Sequence, residues 1–176
     1  MSETSLKHKA AAPKKLDILV VTCSTSKYDD KKLGRPIEDA SGDLIEKLVK
    51  EAGHEISQRT LISDSEAMIK QIIREAAMSP HIDAVIITGG TGIAPKDVTI
   101  EAVKGQLDKE LPGFGELFRK MSYDSIGSAA LMSRAMAGVT RGKAIFCLPG
   151  SPDGVEKALR NLIIPEIGHI VKHSRD

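Results

Sequence analysis

The sequence has few aromatic residues, almost no net charge and no long apolar run. It contains no Trp, two Tyr and three Phe, too few flat side chains for a surface that stacks nucleic-acid bases. A formal net charge of +1 creates no overall field that would attract nucleic acid or an anionic membrane. No apolar stretch approaches the roughly 20 residues needed to cross a bilayer, and the N-terminus lacks the apolar centre of an export signal. We therefore expect a cytoplasmic protein with neither nucleic acid nor membrane as a partner.

Cysteine is scarce as well. Cys23 and Cys147 each lie inside an apolar run that is typical of a strand, and they form no CxxC pair. Two buried, reduced thiols suit a cytosolic protein better than a disulfide scaffold does. The alternative is that one of the two is a catalytic or regulatory cysteine.

The chain is long enough for one domain with a substantial core. It has 176 residues, of which 41% are hydrophobic and 28% charged, an ordinary balance for a globular protein. Residues 1–15 are polar, carry four lysines and show no periodic apolar pattern, so they predict a flexible N-terminal tail. A tail that contacts a neighbouring subunit is the alternative. Residues 16–176 are predicted to form a single α/β domain.

Short β-branched runs alternate with amphipathic stretches along this domain. Strands are predicted at 16–22, 55–62, 84–87 and 143–148, and helices at 42–52, 63–80, 97–105, 113–122 and 127–136, with a C-terminal helix that opens at Ser151-Pro152. Residues 24–41 read as a polar loop, Ser63 and Glu66 have capping-box spacing, and Pro165 predicts a break or kink. Alternating strands and helices predict a three-layer α/β/α domain with a mostly parallel sheet.

Three loops leave the carboxyl ends of predicted strands, after Thr22, Ile87 and Leu148. In open α/β sheets, ligands bind outside these strand ends. The three loops are therefore expected to converge on one site.

The loop after Ile87 is rich in glycine and reads Thr88-Gly89-Gly90-Thr91-Gly92. Glycines after a buried strand let backbone N–H groups approach an anion without obstruction by Cβ atoms, although a purely structural turn would use glycine too. Neither common nucleotide motif fits. A dinucleotide fingerprint would need its last glycine where Pro95 stands, and a phosphate-binding loop read from Gly142-Lys143 would need other flanking residues.

Two aspartates follow strands and admit two interpretations each. Asp97 lies five residues after the glycine loop, and Asp64 lies at a predicted helix start. Either can be a helix cap, or a carboxylate for a Mg²⁺ ion that arrives with a polyphosphate. Lys96 could offset phosphate charge, but a single lysine is more often simply solvated.

Several segments together resemble a known family. They are Asp39-Ala40-Ser41-Gly42, Thr88-Gly89-Gly90-Thr91-Gly92, Asp97-Val98-Thr99, Pro112-Gly113-Phe114-Gly115-Glu116, Ser133-Arg134 and Leu148-Pro149-Gly150-Ser151-Pro152. In this order, from about residue 16 to 165, they resemble the molybdopterin adenylyltransferases of molybdenum-cofactor biosynthesis, of the MoaB/MogA type. The sequence from Gly113 to Arg119 is more similar to that of the MoaB branch.

The resemblance implies that ATP and molybdopterin give adenylyl-molybdopterin and pyrophosphate, with Mg²⁺ as the cofactor. It makes Asp64 and Asp97 the catalytic residues, which would hold or orient Mg²⁺. The substrate- and phosphate-binding residues that it implies are Thr88, Gly89, Gly90, Thr91, Gly92, Asp39, Ser41, Gly42, Ser133, Arg134, Pro149, Gly150 and Ser151. The terminal phosphate of molybdopterin is anionic near neutral pH, so the absence of a histidine base fits this chemistry.

The resemblance also has departures and alternatives. Ile100 replaces the proline that usually follows Asp-Val-Thr, and the loop Cys23–Lys27 lacks the usual Ser-Asp pair. Family members form homotrimers or hexamers, and a molybdenum-insertion enzyme acts downstream. One alternative is the molybdate-insertion domain, which normally accompanies further β-rich domains. The other is a non-catalytic molybdopterin-binding or scaffold protein of the same fold.

Overall fold

Strands and helices alternate along the chain in a computed structural model that describes residues 12–176. The strands are β1 (Asp17–Cys23), β2 (Glu55–Ile62), β3 (Ala84–Thr88), β4 (Lys109–Glu110), β5 (Met136–Thr140) and β6 (Lys143–Leu148). The helices are α1 (Thr25–Lys32), α2 (Ala40–Glu51), α3 (Glu66–Met78), α4 (Thr99–Lys104), α5 (Pro112–Ile126), α6 (Pro152–Ala158) and α7 (Ile164–Arg175). A 3₁₀ segment, Gly127–Met132, follows α5, and a π-helical segment, Leu159–Ile163, joins α6 to α7.

The six strands form one sheet in the order β2-β1-β3-β6-β5-β4. Strands β2, β1, β3 and β6 are parallel, whereas β5 and β4 are antiparallel additions at one edge. The predicted three-layer domain with a mostly parallel sheet is confirmed. The strand order reverses between β1 and β3, which creates a crevice at their carboxyl ends where α/β proteins bind ligands.

Both faces of the central strands are buried, which explains their continuous apolar sequences. In β3, Ile86 packs into a cluster with α2, α5, α6 and α7, whereas its neighbours Val85 and Ile87 pack into a second cluster with α3 and α4. This alternation follows from the two-residue period of a strand. The helices thus cover the sheet on both sides and leave the loops at the strand ends free to form a site.

Most predicted elements are present, but three details were wrong. Residues 24–41 contain the helix α1, which has no buried residue and therefore no apolar stripe to reveal it. Residues 127–136 do not form a helix, because a 3₁₀ segment ends at Met132 and β5 begins at Met136. The N-cap of α3 is Ser65, whose hydroxyl accepts from the Met68 N–H, and not Ser63.

The prediction for the N-terminal tail can be compared with the structure only in part, whereas the prediction for Pro165 near the C-terminus can be compared in full. Most of the predicted tail, residues 1–15, lies outside the described residues. Of its last four residues, Pro13 has its carbonyl against Gly168, and Lys15 pairs with Glu55 at 3.0 Å. Pro165 lies just after the π-helical segment Leu159–Ile163 in a continuous run of helical residues, so the irregularity is a π-helical turn rather than a break.

Candidate functional site

The three strand ends that were expected to converge lie side by side. Thr22 of β1 is in register with Thr88 of β3, which is in register with Leu148 of β6. The connecting loops are bonded to one another across these ends. The Gly89 N–H donates to the Leu148 carbonyl at 3.0 Å, and the Thr88 hydroxyl donates to the Pro149 carbonyl at 2.8 Å. Ser41, at the start of α2, donates its hydroxyl to the Gly150 carbonyl at 2.7 Å.

The glycine loop has a conformation that requires glycine at two positions. Gly89 has φ +95° and Gly90 has φ +64°, in the left-handed region that side chains disfavour. A Cβ atom on Gly89 would lie 2.2 Å from the Cys23 carbonyl oxygen, and one on Gly90 would lie 2.4 Å from the Thr99 hydroxyl. Thr99 fixes the loop because its hydroxyl donates to the Gly89 carbonyl and its N–H donates to the Gly90 carbonyl, both at 2.9 Å.

The two predicted catalytic aspartates flank this loop, and neither is the N-cap of the helix that follows it. Asp97 accepts the Ala94 N–H at 3.0 Å, while the N-cap of α4 is Val98, which makes no side-chain cap bond. Asp64 accepts the Thr25 N–H at 2.8 Å and the Thr25 hydroxyl at 2.9 Å. Both carboxylates approach the glycines, since a Cβ on Gly90 would lie 2.8 Å from Asp64 Oδ1, and one on Gly92 would lie 2.6 Å from Asp97 Oδ2. The interpretation of each aspartate as the cap of the helix that follows it is therefore wrong.

A cavity of about 410 Å³, here called the main cavity, opens beside the glycine loop. Its lining includes the predicted residues Gly89, Gly90, Thr91, Gly92, Asp97, Ser133, Arg134, Pro149, Gly150 and Ser151. One wall is apolar and contains Phe118, Ile126 and Met132. The cavity thus combines a polar side suited to phosphate with an apolar side suited to a flat ring.

A smaller cavity of about 150 Å³, the side cavity, shares Gly89 and Gly150 with the main cavity. Its lining contains the predicted residues Asp39, Ser41 and Thr88. Gly42 and Asp64 line neither cavity. Gly42 instead donates its backbone N–H to Asp39 at 3.2 Å, and it is buried so tightly that a Cβ would overlap that carboxylate.

Asp39 is held by a guanidinium that sequence reasoning missed. Arg59 of β2 donates Nη2 to Asp39 Oδ2 at 2.8 Å, and the Thr22 hydroxyl donates to the same oxygen at 2.7 Å. Burial alone raises the pKa of Asp39, but the hydrogen bonds from Arg59, Thr22 and the Gly42 N–H outweigh it and hold the pKa below its ordinary value. Asp39 is therefore an ionised carboxylate beside the side cavity.

Other residues at the site also carried no sequence pattern that would have revealed them. Lys157 and Asp153 line the main cavity from α6, and Lys27 lines the side cavity, although each reads as an exposed charge on a helix. Arg134 was predicted, but its partners were not: it donates to the Gly92 carbonyl at 3.2 Å and forms an ion pair with Glu101 of α4. Lys96 is exposed and does not line the main cavity.

Both cysteines are buried and free, as the sequence predicts. Burial raises the pKa of Cys23 to about 12, and burial also raises the pKa of Cys147. Neither thiol is therefore activated as a nucleophile at neutral pH.

Comparison with known proteins identifies the family. Residues 19–169 match the family described as "Probable molybdopterin binding domain", and the chain belongs to this family. It is 44% identical over 167 residues to the molybdenum cofactor biosynthesis protein B of Halalkalibacterium halodurans, covering 94% of both chains. It is 42% identical to the probable molybdopterin adenylyltransferase of Methanocaldococcus jannaschii, covering 93% of this chain and 96% of that one.

Solved structures give the same result. A crystal structure of molybdenum cofactor biosynthesis protein B superposes with a TM-score of 0.83 at 42% identity, covering 93% of this chain and 98% of that one. The tungsten cofactor synthesizing protein MoaB from Pyrococcus furiosus superposes with a TM-score of 0.82 at 38% identity, covering 94% and 100%. The resemblance drawn from the sequence motifs is confirmed.

The donor groups at the site bear on the predicted Mg²⁺. Among residues 12–176 no group of three or more His, Cys, Asp or Glu side chains is arranged to hold a metal ion. Mg²⁺ is, however, commonly bound by one or two carboxylates together with substrate phosphates. Asp97 in the main cavity fits an ion that arrives with a polyphosphate better than a resident ion.

No helix within the described part of the chain is both long and apolar enough to cross a membrane.

Proposed function

We propose that this protein is a Mg²⁺-dependent molybdopterin adenylyltransferase, which transfers AMP from ATP to molybdopterin and releases pyrophosphate. The observation that carries the proposal is the shared opening of the glycine loop, Asp97 and Arg134 into the main cavity. Backbone donors, a carboxylate and a guanidinium are the groups that phosphoryl chemistry needs. The name of the Methanocaldococcus jannaschii relative supports the same activity.

The reaction has an electrostatic rather than an acid–base difficulty. An oxygen of the molybdopterin phosphate attacks the α-phosphorus of ATP, and the bond from that phosphorus to the bridging oxygen breaks as pyrophosphate leaves. The attacking group is already an anion, so no residue has to remove a proton. Two anionic phosphates must instead be brought into contact, which requires positioning and charge neutralisation.

The residues of the chain fit these two tasks. The loop from Gly90 to Gly92 supplies backbone N–H groups, and its conformation is fixed by Thr99 before any ligand binds. Asp97 would hold the Mg²⁺ ion, which supplies charge neutralisation when it is bound with the polyphosphate. Asp64, next to Gly90 and bonded to Thr25, would position the loop and the first turn of α1. The side cavity shares Gly89 and Gly150 with the main cavity, so the surface available to a ligand continues past the glycine loop.

The decisive experiment measures pyrophosphate release from MgATP and molybdopterin. Asp97→Asn should lower kcat about 100-fold or more, because electrostatic groups at a reacting centre contribute effects of this size. The asparagine oxygen can still accept the Ala94 N–H, so we expect the variant to fold. Glu51→Gln, at the exposed end of α2, is a charge-matched control that should behave like the wild type.

The outcomes separate the proposal from the binding-only alternative. A wild-type protein that binds molybdopterin but releases no pyrophosphate, beside an active relative, would be a carrier or scaffold rather than an enzyme. Equal rates for the wild type and Asp97→Asn would leave the activity standing and disprove the role of Asp97.

The homotrimer or hexamer and the cytoplasmic location remain predictions. Light scattering on the purified protein would check the assembly.

A further inference from the structure

Lys157 of α6 is a cation in the main cavity that no motif points to. Its side chain is 27% exposed, and its ammonium group lies 2.7 Å from Asp153 Oδ2, one helical turn earlier. Asp153 lines the same cavity but is 73% exposed. Lys157 is therefore the more buried member of the pair, and the Asp153 carboxylate lies mostly in solvent.

The charges around the main cavity leave Lys157 as the cation available to a ligand. Four charged side chains line the cavity within the described residues: Asp97, Arg134, Asp153 and Lys157. The guanidinium of Arg134 is already engaged by the Gly92 carbonyl and by the ion pair with Glu101. Lys157 has a single i,i+4 ion-pair partner, which is 73% exposed, and such pairs contribute little to stability. Its present partner is the one that a ligand can replace at least cost.

We propose that Lys157 binds a phosphate group of a substrate, and that Asp153 orients the lysine until the phosphate displaces the carboxylate. This inference rests on the proposed function, because it concerns the phosphates of MgATP or of molybdopterin. A phosphate group offers more charge and more acceptor oxygens than one carboxylate, and lysine binds phosphate as a point charge. The exchange leaves Asp153 in solvent, where an unpaired carboxylate is well hydrated.

The exchange also explains why the cavity can bind a polyanion while Asp97 and Asp153 both line it. Without Lys157, the two carboxylates would face a single guanidinium that has its own acidic partner. With Asp153 displaced toward solvent, the cavity gains one free positive charge at the moment the phosphate enters. Removal of the Asp153 charge should therefore strengthen binding, and removal of the Lys157 charge should weaken it. If the salt bridge were purely structural, the two substitutions would not change the binding affinity in opposite directions.

The test measures MgATP affinity by calorimetry and the KM values of both substrates for four variants. Lys157→Met should weaken affinity for one substrate about tenfold, which corresponds to about 1.4 kcal/mol. Lys157→Arg should retain most of the affinity because it keeps the charge. Asp153→Asn should strengthen binding two- to threefold. Arg160→Met is the matched control, since it breaks an i,i+4 pair with Glu156 (2.8 Å) outside the main cavity and should change nothing.

Each outcome decides a separate point. A tenfold rise in KM for ATP or for molybdopterin supports the proposal and identifies which phosphate Lys157 contacts. Unchanged affinity and KM for both substrates in Lys157→Met would overturn it while adenylyl transfer stands. Weaker binding in Asp153→Asn would overturn the displacement of the carboxylate. If the wild type shows no turnover but binds MgATP in a Lys157-dependent way, the proposed function fails and the phosphate contact remains.

Discussion

The ion pair between Arg59 and Asp39 offers the sharpest test of how the side cavity is held. Arg59→Met keeps an aliphatic side chain but removes every guanidinium donor, including those to Asp43 and Glu46 of α2. Asp39 is then left with the Thr22 hydroxyl, the Gly42 N–H and Lys27 at 3.6 Å. Its side chain is only 10% exposed, so water replaces the lost partner poorly. We expect the variant to fold but to be clearly less stable.

The magnitude follows from the contacts. Removing one partner of a fully buried ion pair costs about 3–5 kcal/mol, and a hydrogen bond to a charged group contributes about 1.5–3 kcal/mol. Arg59 is 28% exposed and Asp39 keeps two other donors, so the lower part of this range applies. A free-energy loss of about 2 kcal/mol corresponds to a shift of about 1 M in the urea midpoint.

The pH dependence provides a second, independent readout. In the wild type the pKa of Asp39 is lowered, so its stabilising contribution is present above its ordinary pKa of 3.8 and is lost as the pH falls through the lower folded value. Without Arg59, burial is opposed only by the Thr22 hydroxyl and the Gly42 N–H, so the pKa of Asp39 rises from its lowered value and its charge stabilises the fold less at neutral pH. The stability difference should therefore be largest at pH 7 and should shrink below about pH 4.

Urea unfolding at pH 7 and at several pH values below 3.8 measures both effects. The double variant Arg59→Met/Asp39→Asn should recover part of the lost stability, since the unpaired charge is gone. Arg160→Met, which breaks a pair with both side chains half exposed, should cost no more than about 0.5 kcal/mol. A loss below 0.5 kcal/mol for Arg59→Met, or a loss that does not change with pH, would refute the reasoning.

Two further predictions concern the loop and the thiols. Gly90→Ala should lower pyrophosphate release at least tenfold and lower the urea midpoint, because its Cβ would overlap the Thr99 hydroxyl, whereas Gly34→Ala has a similar φ of +68° in open space and should leave the activity unchanged. Equal activities would mean that the loop tolerates a side chain. A thiol reagent at pH 8 should label neither Cys23 nor Cys147 in the native protein and both in guanidinium, since both are buried with raised pKa values. Rapid native labelling would show that the end of β1 opens.

The candidate site shows which residues a motif can reveal. The glycine loop was predictable because a buried strand that ends in three glycines has few other uses, and the observed φ values confirm that Gly89 and Gly90 are required. Asp97 was predicted as a candidate, but whether it caps a helix depended on where α4 begins. Only the structure shows that the N-cap is Val98 and that Asp97 faces the main cavity.

Elements without an apolar pattern escaped prediction. Helix α1 is fixed by the Ser24 cap and by Thr25 contacts with Asp64, none of which leaves a periodic signature. Strand β5 lies in a small-residue stretch that fits a helix equally well, and its pairing with β6 decides its conformation. Local sequence preference was overridden in this case by a tertiary hydrogen-bond ladder.

The sequence by itself determined the alternation of strands and helices, the parallel centre of the sheet and the need for glycine in the loop after β3. These properties depend on local periodicity and on the steric freedom of glycine, both of which can be read residue by residue. The tertiary structure alone decided that Arg59 holds Asp39, that Glu101 holds Arg134 and that Lys157 faces the main cavity. A charged residue gives the same sequence pattern on any exposed helix or strand. Only the packing of elements that are distant in the sequence gives its side chain a partner.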